Sequence, residues 1–142
     1  MAAHTSQFRV YYEDTDAGGI VYHARYLGFA ERGRAEALRS LGMEVGALAQ
    51  QEGIGFVVRR LEAHYHAPLR LDDVLSVETI LLKNTGVRLV LAQKIYNLSR
   101  DHQHAVSLTV ELGCLDMERM SPVRIPPHYY DCLSALQENV SP

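Results

Sequence analysis

One stretch constrains the fold of this chain more than any other: a single long helical pattern at about residues 24–41, set among segments that alternate or run apolar like strands. Tyr26, Ala30, Ala37, Leu38 and Leu41 recur at helical spacing, Arg32, Arg34, Glu36 and Arg39 leave a polar strip, and Gly42 supplies a C-terminal stop. Gly28 and Gly33 each weaken such a helix by about 1 kcal/mol relative to Ala. Close approach of the helix to a sheet is the simplest compensation. Before the helix, Phe8, Val10 and Tyr12 alternate with Arg9, Tyr11 and Glu13 as a first half-buried strand, closed by the turn composition Asp14-Thr15-Asp16-Ala17-Gly18-Gly19. After it come a short helical piece near residues 45–51 and strands expected at 56–67, 74–83, 87–98 and 104–115. Each strand ends in a short breaker, such as Pro68, Asn84-Thr85-Gly86 or Ser99-Arg100-Asp101, which favours an antiparallel meander over helical crossovers. A last helix at 126–138 is expected on the outside.

The pattern is α+β: an antiparallel sheet of about five strands wrapped around one long helix. No linker, repeat or low-complexity tract interrupts it, so residues 1–142 read as one domain. The motif-bearing strand, turn and helix occupy 7–42, the sheet 56–115 and the tail helix 126–138. One sheet covers one side of the helix, so a second copy is expected on the other, as a homodimer or a dimer of dimers.

Composition narrows the function. A net charge of −3 lacks the uniform basicity of a nucleic-acid binder, and no nucleic-acid partner is expected. Cys114 and Cys132 lie in apolar stretches with no CxxC or Cys/His cluster, which argues against a disulfide scaffold and a structural zinc site and for a reducing, cytoplasmic setting. Met-Ala-Ala-His-Thr-Ser has no basic segment leading into an apolar one, and the apolar runs are too short to span a bilayer, so neither signal peptide nor transmembrane segment is expected. The sequons at Asn97 and Asn139 are short enough to arise by chance. His64-x-His66, with His102 and His104, lacks a carboxylate or Cys companion at ligand spacing, and no metal is expected.

The chemistry concentrates in Tyr11-Tyr12-Glu13-Asp14-Thr15-Asp16-Ala17-Gly18-Gly19-Ile20-Val21-Tyr22-His23-Ala24-Arg25-Tyr26. It places a carboxylate after a strand, two residues ahead of paired glycines and before a helix start. Glycines admit a ligand close to the backbone, and the first helical turn offers N–H groups that stabilise negative charge. A carboxylate beside an oxyanion site can serve acyl transfer. An Asp in such a position also commonly forms an Asx turn or helix cap, and from spacing alone both readings stand. The dinucleotide pattern G-x-G-x-x-G and the Walker A pattern are absent.

The run from Arg9 to Tyr26, together with Phe56-Val57-Val58-Arg59-Arg60, Tyr65-x-Ala67-Pro68 and Leu71-Asp72-Asp73, resembles the hotdog-fold acyl-CoA thioesterases. Among them it looks most like the YbgC type, which is associated with the Tol-Pal cell-envelope system and related to 4-hydroxybenzoyl-CoA thioesterase. The resemblance implies hydrolysis of acyl-CoA or acyl carrier protein thioesters without a separate cofactor, coenzyme A being part of the substrate. It implies Asp16 as nucleophile or general base and His23 as a second catalytic position, its backbone N–H polarising the carbonyl. It implies substrate contacts at Gly19, Val21, Tyr22, Tyr26, Phe56 and Val58, and a homotetramer as the larger assembly. Glu13 and Asp14 are expected to be solvated or to support Asp16 indirectly. Arg59, Arg60, Lys83 and Arg88 are either coenzyme A phosphate contacts or solvent-facing. Two other activities fit the fold: a hydratase or dehydratase acting on enoyl or hydroxyacyl thioesters, and a non-catalytic envelope-associated binding protein.

Overall fold

The computed structural model describes residues 3–137. Five antiparallel strands form a curled sheet: β1 (His4–Arg9), β2 (Ile54–Tyr65), β3 (Val74–Asn84), β4 (Arg88–Asn97) and β5 (Gln103–Asp116), with a short β6 (Ser121–Pro122) added on the end of β5. The order across the sheet is β1-β3-β4-β5-β2. Register shifts at Val58/Arg60, Leu81/Lys83 and Ile95/Tyr96 bend the strands, and the sheet closes around α1 (Arg25–Ser40). A short α2 (Val45–Ala47) runs into a π-turn over Leu48–Glu52, and α3 (Pro127–Leu133) follows the sheet. No described helix is long and apolar enough to cross a membrane.

Each face of α1 follows from its sequence. Tyr26, Phe29, Ala30, Ala37 and Leu38 are buried against the sheet, where they join Leu75, Val77, Leu91, Ile95, Val110 and Leu112 in one core. Gly42 ends the helix as expected: its φ is +79°, its N–H donates to Arg39 O at 2.9 Å, and the Met43 N–H donates to Leu38 O at 2.9 Å, which satisfies the last carbonyls. Gly33 meets the sheet so closely that a Cβ there would stand 2.9 Å from Val77 Cβ. Gly28 has open space around it, so the close approach accounts for only one of the two glycines. Arg34 does not lie on the polar strip; it is 8% exposed and packs between helix and sheet.

Two further expectations are corrected. The first strand stops at Arg9, because the Asp14 carboxylate accepts the Tyr11 N–H at 2.8 Å and folds the chain into a turn over Tyr12–Asp14 that leaves Tyr12 83% exposed. The meander holds for β3-β4-β5, but β2 pairs with β5 and the chain crosses the sheet to reach β3. Leu69 explains the crossing: it is fully buried, its N–H donates to Tyr26 Oη at 3.0 Å and its carbonyl accepts from Val21 N at 2.8 Å. The segment between β2 and β3 is thereby fastened to the residues that lead into α1.

The tail helix is shorter than expected, ending at Leu133 with one further turn over Ser134–Leu136, and it buries Leu133 and Leu136. Residue 138 of the expected span lies outside the described residues, as does Asn139. Asn97 is fully buried, with its side-chain N–H donating to Asp73 Oδ2 at 2.8 Å. Both cysteines are free, Cys114 buried and Cys132 exposed.

Candidate active site

The motif folds into a small hairpin. Thr15 bridges to Val21, Asp16 N donates to Ile20 O at 2.9 Å, and Gly19 N donates back to Asp16 O at 3.0 Å. Gly19 takes a φ of +78°, a left-handed conformation that disfavours any side chain. Within this turn Asp16 Oδ1 accepts the Gly18 N–H at 2.8 Å, and among the described residues no donor meets Oδ2. The Asx turn is therefore formed by one oxygen, and the other is left without a donor among the described residues.

Asp16 stands between two clefts. One, of about 440 Å³, is lined by Asp16, Ile20, Val21, His23, Tyr26 and Tyr65, with His66, Ala67 and Pro68 from the crossing segment. The other, of about 480 Å³, holds Gly19, Thr15 and Leu71 beside it. The first joins the carboxylate to the start of α1. Ahead of the helix, Val21 N and Tyr22 N are spent on Leu69 O and Asp14 O, and Arg25 N on Tyr22 O. The amides of His23 and Ala24 have no acceptor among the described residues, and they sit where a helix N-terminus favours negative charge.

The surrounding side chains hold this turn in place. Asp14 is 6% exposed and pairs with Arg25, Nη2 to Oδ1 at 3.1 Å and Nε to Oδ1 at 3.2 Å, so of the two nearby acids it is the one that supports the site from beneath. Glu13 is exposed, 3.9 Å from Arg25. Tyr65 donates its hydroxyl to His23 O at 2.9 Å and stacks edge-on with Tyr26 at 5.6 Å between centroids. Burial pushes the Tyr26 phenol above its ordinary pKa, with Tyr65 and Asp16 adding to the effect and the Leu69 amide opposing it. Tyr26 therefore keeps its proton through the neutral range.

Of the residues expected at the site, Asp16, Val21, His23 and Tyr26 share the first cleft and Gly19 lies in the second. Tyr22 is half exposed with its ring over that of His23, 4.5 Å between centroids, and does not line either cleft. Phe56 and Val58 lie in a separate cavity toward the other end of α1. Arg59, Arg60, Lys83 and Arg88 are all exposed. His66 is an addition to the site. Its Nε2 lies 3.0 Å from Ser107 Oγ, and its ring lies tilted against that of His104, 4.6 Å between centroids. The signal for it was the Tyr65-x-Ala67-Pro68 motif, which marks the crossing segment. His104 and His66 come together without a third ligand, and no group able to hold a metal ion occurs among the described residues.

A curled antiparallel sheet around one central helix, with an acidic hairpin set against that helix's N-terminus, defines the hotdog class. Residues 10–136 match the family model described as the Thioesterase-like superfamily, and the chain belongs to that family. It is 43% identical over 118 residues to the acyl-CoA thioesterase YbgC of Haemophilus influenzae, covering 83% of this chain and 85% of the relative. It is 34% identical over 134 residues to the YbgC of Helicobacter pylori, covering 90% and 98%. Among solved structures, a probable thioesterase from Bartonella henselae superposes with a TM-score of 0.83 at 39% identity, over 88% of this chain and all (100%) of that one.

Proposed function

We propose that this enzyme hydrolyses acyl-CoA thioesters to the free acid and coenzyme A. Asp16 acts either as the nucleophile, giving a mixed anhydride, or as the base that deprotonates water. The amide of His23, with that of Ala24 beside it, receives the charge that develops on the thioester oxygen. One observation carries this reading: Asp16 and His23, whose amide is unclaimed, line one cleft. The YbgC-type relatives support the substrate class, and acyl carrier protein thioesters carry the same reacting bond.

Asp16→Asn is the direct test. Thiol release from a panel of short, long and aromatic acyl-CoAs should fall by about 10²–10⁴-fold, the range for loss of a positioned acid or base. Equal, background-level release from wild type and variant would instead favour a binding protein of the envelope, and loss of enoyl absorbance without thiol release would favour a hydratase. Single-turnover hydrolysis in oxygen-18 water separates the two routes, because label in the Asp16 carboxylate requires the covalent one.

The assembly is at least a homodimer in this reading. β2 is an edge strand of 12 residues, with Val58 49% and Tyr65 50% exposed, and a free edge of that length invites pairing. Antiparallel pairing of β2 with its copy would carry Phe56 and Val58 of a second copy toward the Tyr65 end of this one. That gives both residues a route to the substrate. The free cysteines and a coenzyme A substrate suit the cytoplasm.

A further inference from the structure

Arg34 is the one described side chain whose charge the fold buries without a carboxylate at ion-pair distance. It is 8% exposed, and its Nη1 donates to Gln93 Oε1 at 3.1 Å. Gln93 is held so that its oxygen must face the guanidinium, because its Nε2 donates to Ala30 O at 2.9 Å and to Thr79 Oγ1 at 3.0 Å. A guanidinium has five N–H donors, and no other acceptor meets this one among the described residues. Burial lowers its pKa, and exposed Glu31, one turn back, offsets this only through its field. Leaving a buried cation so poorly matched is costly.

Arg34 lines a cavity, as does Glu31. The cavity measures about 290 Å³ and lies between α1 and the start of β2, with Leu38, Leu48, Phe56, Val58 and Leu112 as its apolar wall. A dry apolar cavity of about 150 Å³ takes a benzene ring, so this one holds a ligand on the order of ten heavy atoms. An aliphatic or aromatic body would fill the wall. A planar two-oxygen anion would match the fork of Arg34, which is preorganised by Gln93.

We propose that this cavity is a binding site for an apolar chain ending in a carboxylate, with Arg34 as its anion receptor. That chemistry has two sources, a free medium-chain carboxylic acid or a thioester substrate whose acyl group carries a carboxylate at its far end. The first does not depend on the hydrolase reading; the second names a substrate class for it.

The test compares ligands before it compares variants. Calorimetric titration of the full chain at neutral pH should show octanoate binding about 10-fold or more tightly than 1-octanol. Arg34→Gln should abolish that preference, and Val45→Trp, which fills the cavity from an exposed position on its rim, should weaken both ligands. Equal binding of octanoate and octanol overturns the proposal, as does octanoate binding that survives either substitution unchanged. If Arg34→Gln fails to fold by circular dichroism, the wild-type comparison and Val45→Trp decide. A second arm measures kcat/KM for octanoyl-CoA and for the thioester of equal length ending in a carboxylate. A preference for the latter that Arg34→Gln removes assigns the site to the substrate's own end, and no preference with octanoate still bound assigns it to the free acid. Octanoate binding with no thioester hydrolysed would refute the hydrolase and leave the site in place.

Discussion

At the scale of single residues, the site depends on neighbours with contrasting duties. Asp16 and Asp14 are two positions apart in one acidic run, and sequence alone could assign the reactive role only through the resemblance. The structure separates them by burial: Asp14 is enclosed and paired with Arg25, while Asp16 is exposed with one oxygen unengaged. Tyr26 is the other fixed point. Its hydroxyl is the acceptor for the buried Leu69 amide, so Tyr26→Phe leaves that donor unsatisfied and should destabilise the protein by about 1–3 kcal/mol in urea unfolding. His104 supplies a pH dependence. Burial lowers its pKa below 6.5, with His66 and Lys94 adding to the shift, and its Nε2 has no hydrogen-bond partner. The unfolded chain therefore takes up its proton first, and stability present above about pH 6.5 is lost as the pH falls toward the lower folded value. A Tm profile from pH 7.5 to 5 should be flatter in His104→Gln than in wild type.

At the scale of elements, α1 shows how far helical spacing can be trusted. The stop at Gly42 and the buried positions Tyr26, Ala30 and Leu38 were legible. Arg34 was not, although 26, 30, 34 and 38 are spaced by four and share a face, because its charge argued for the solvent side. Only Gln93, on a strand distant in sequence, makes its burial tolerable. The two helix glycines separate in the same way. Gly33→Ala should cost about 1–3 kcal/mol, since overpacking against Val77 exceeds the gain in propensity, whereas Gly28→Ala should add up to about 1 kcal/mol. Opposite signs of the two in one denaturation series would confirm that contact with β3, and not helix propensity, retains a glycine at 33.

At the scale of the whole molecule, strand number and antiparallel sense were readable from breakers and apolar runs, but strand order was not. The 66–73 segment looks like an ordinary short connection, and what carries it across is Leu69, bonded to Tyr26 and Val21 far upstream. The free edge of β2 is where the proposed pairing of two copies would form. Sedimentation should return about twice the 15.9 kDa chain mass, and Val58→Lys should raise the dissociation constant by about 10-fold or more. A monomer at tens of micromolar protein would exclude the paired edge. The crossing also fixes the order in which competence returns after denaturation. The Asp16 hairpin and its opposite wall come from chain segments some forty residues apart, and such distant closures are slow. A refolding chain can regain its helix, and much of its sheet signal, while still inert toward substrate. Recovery of turnover should trail recovery of circular dichroism, making the enzyme a clock for its own last topological step.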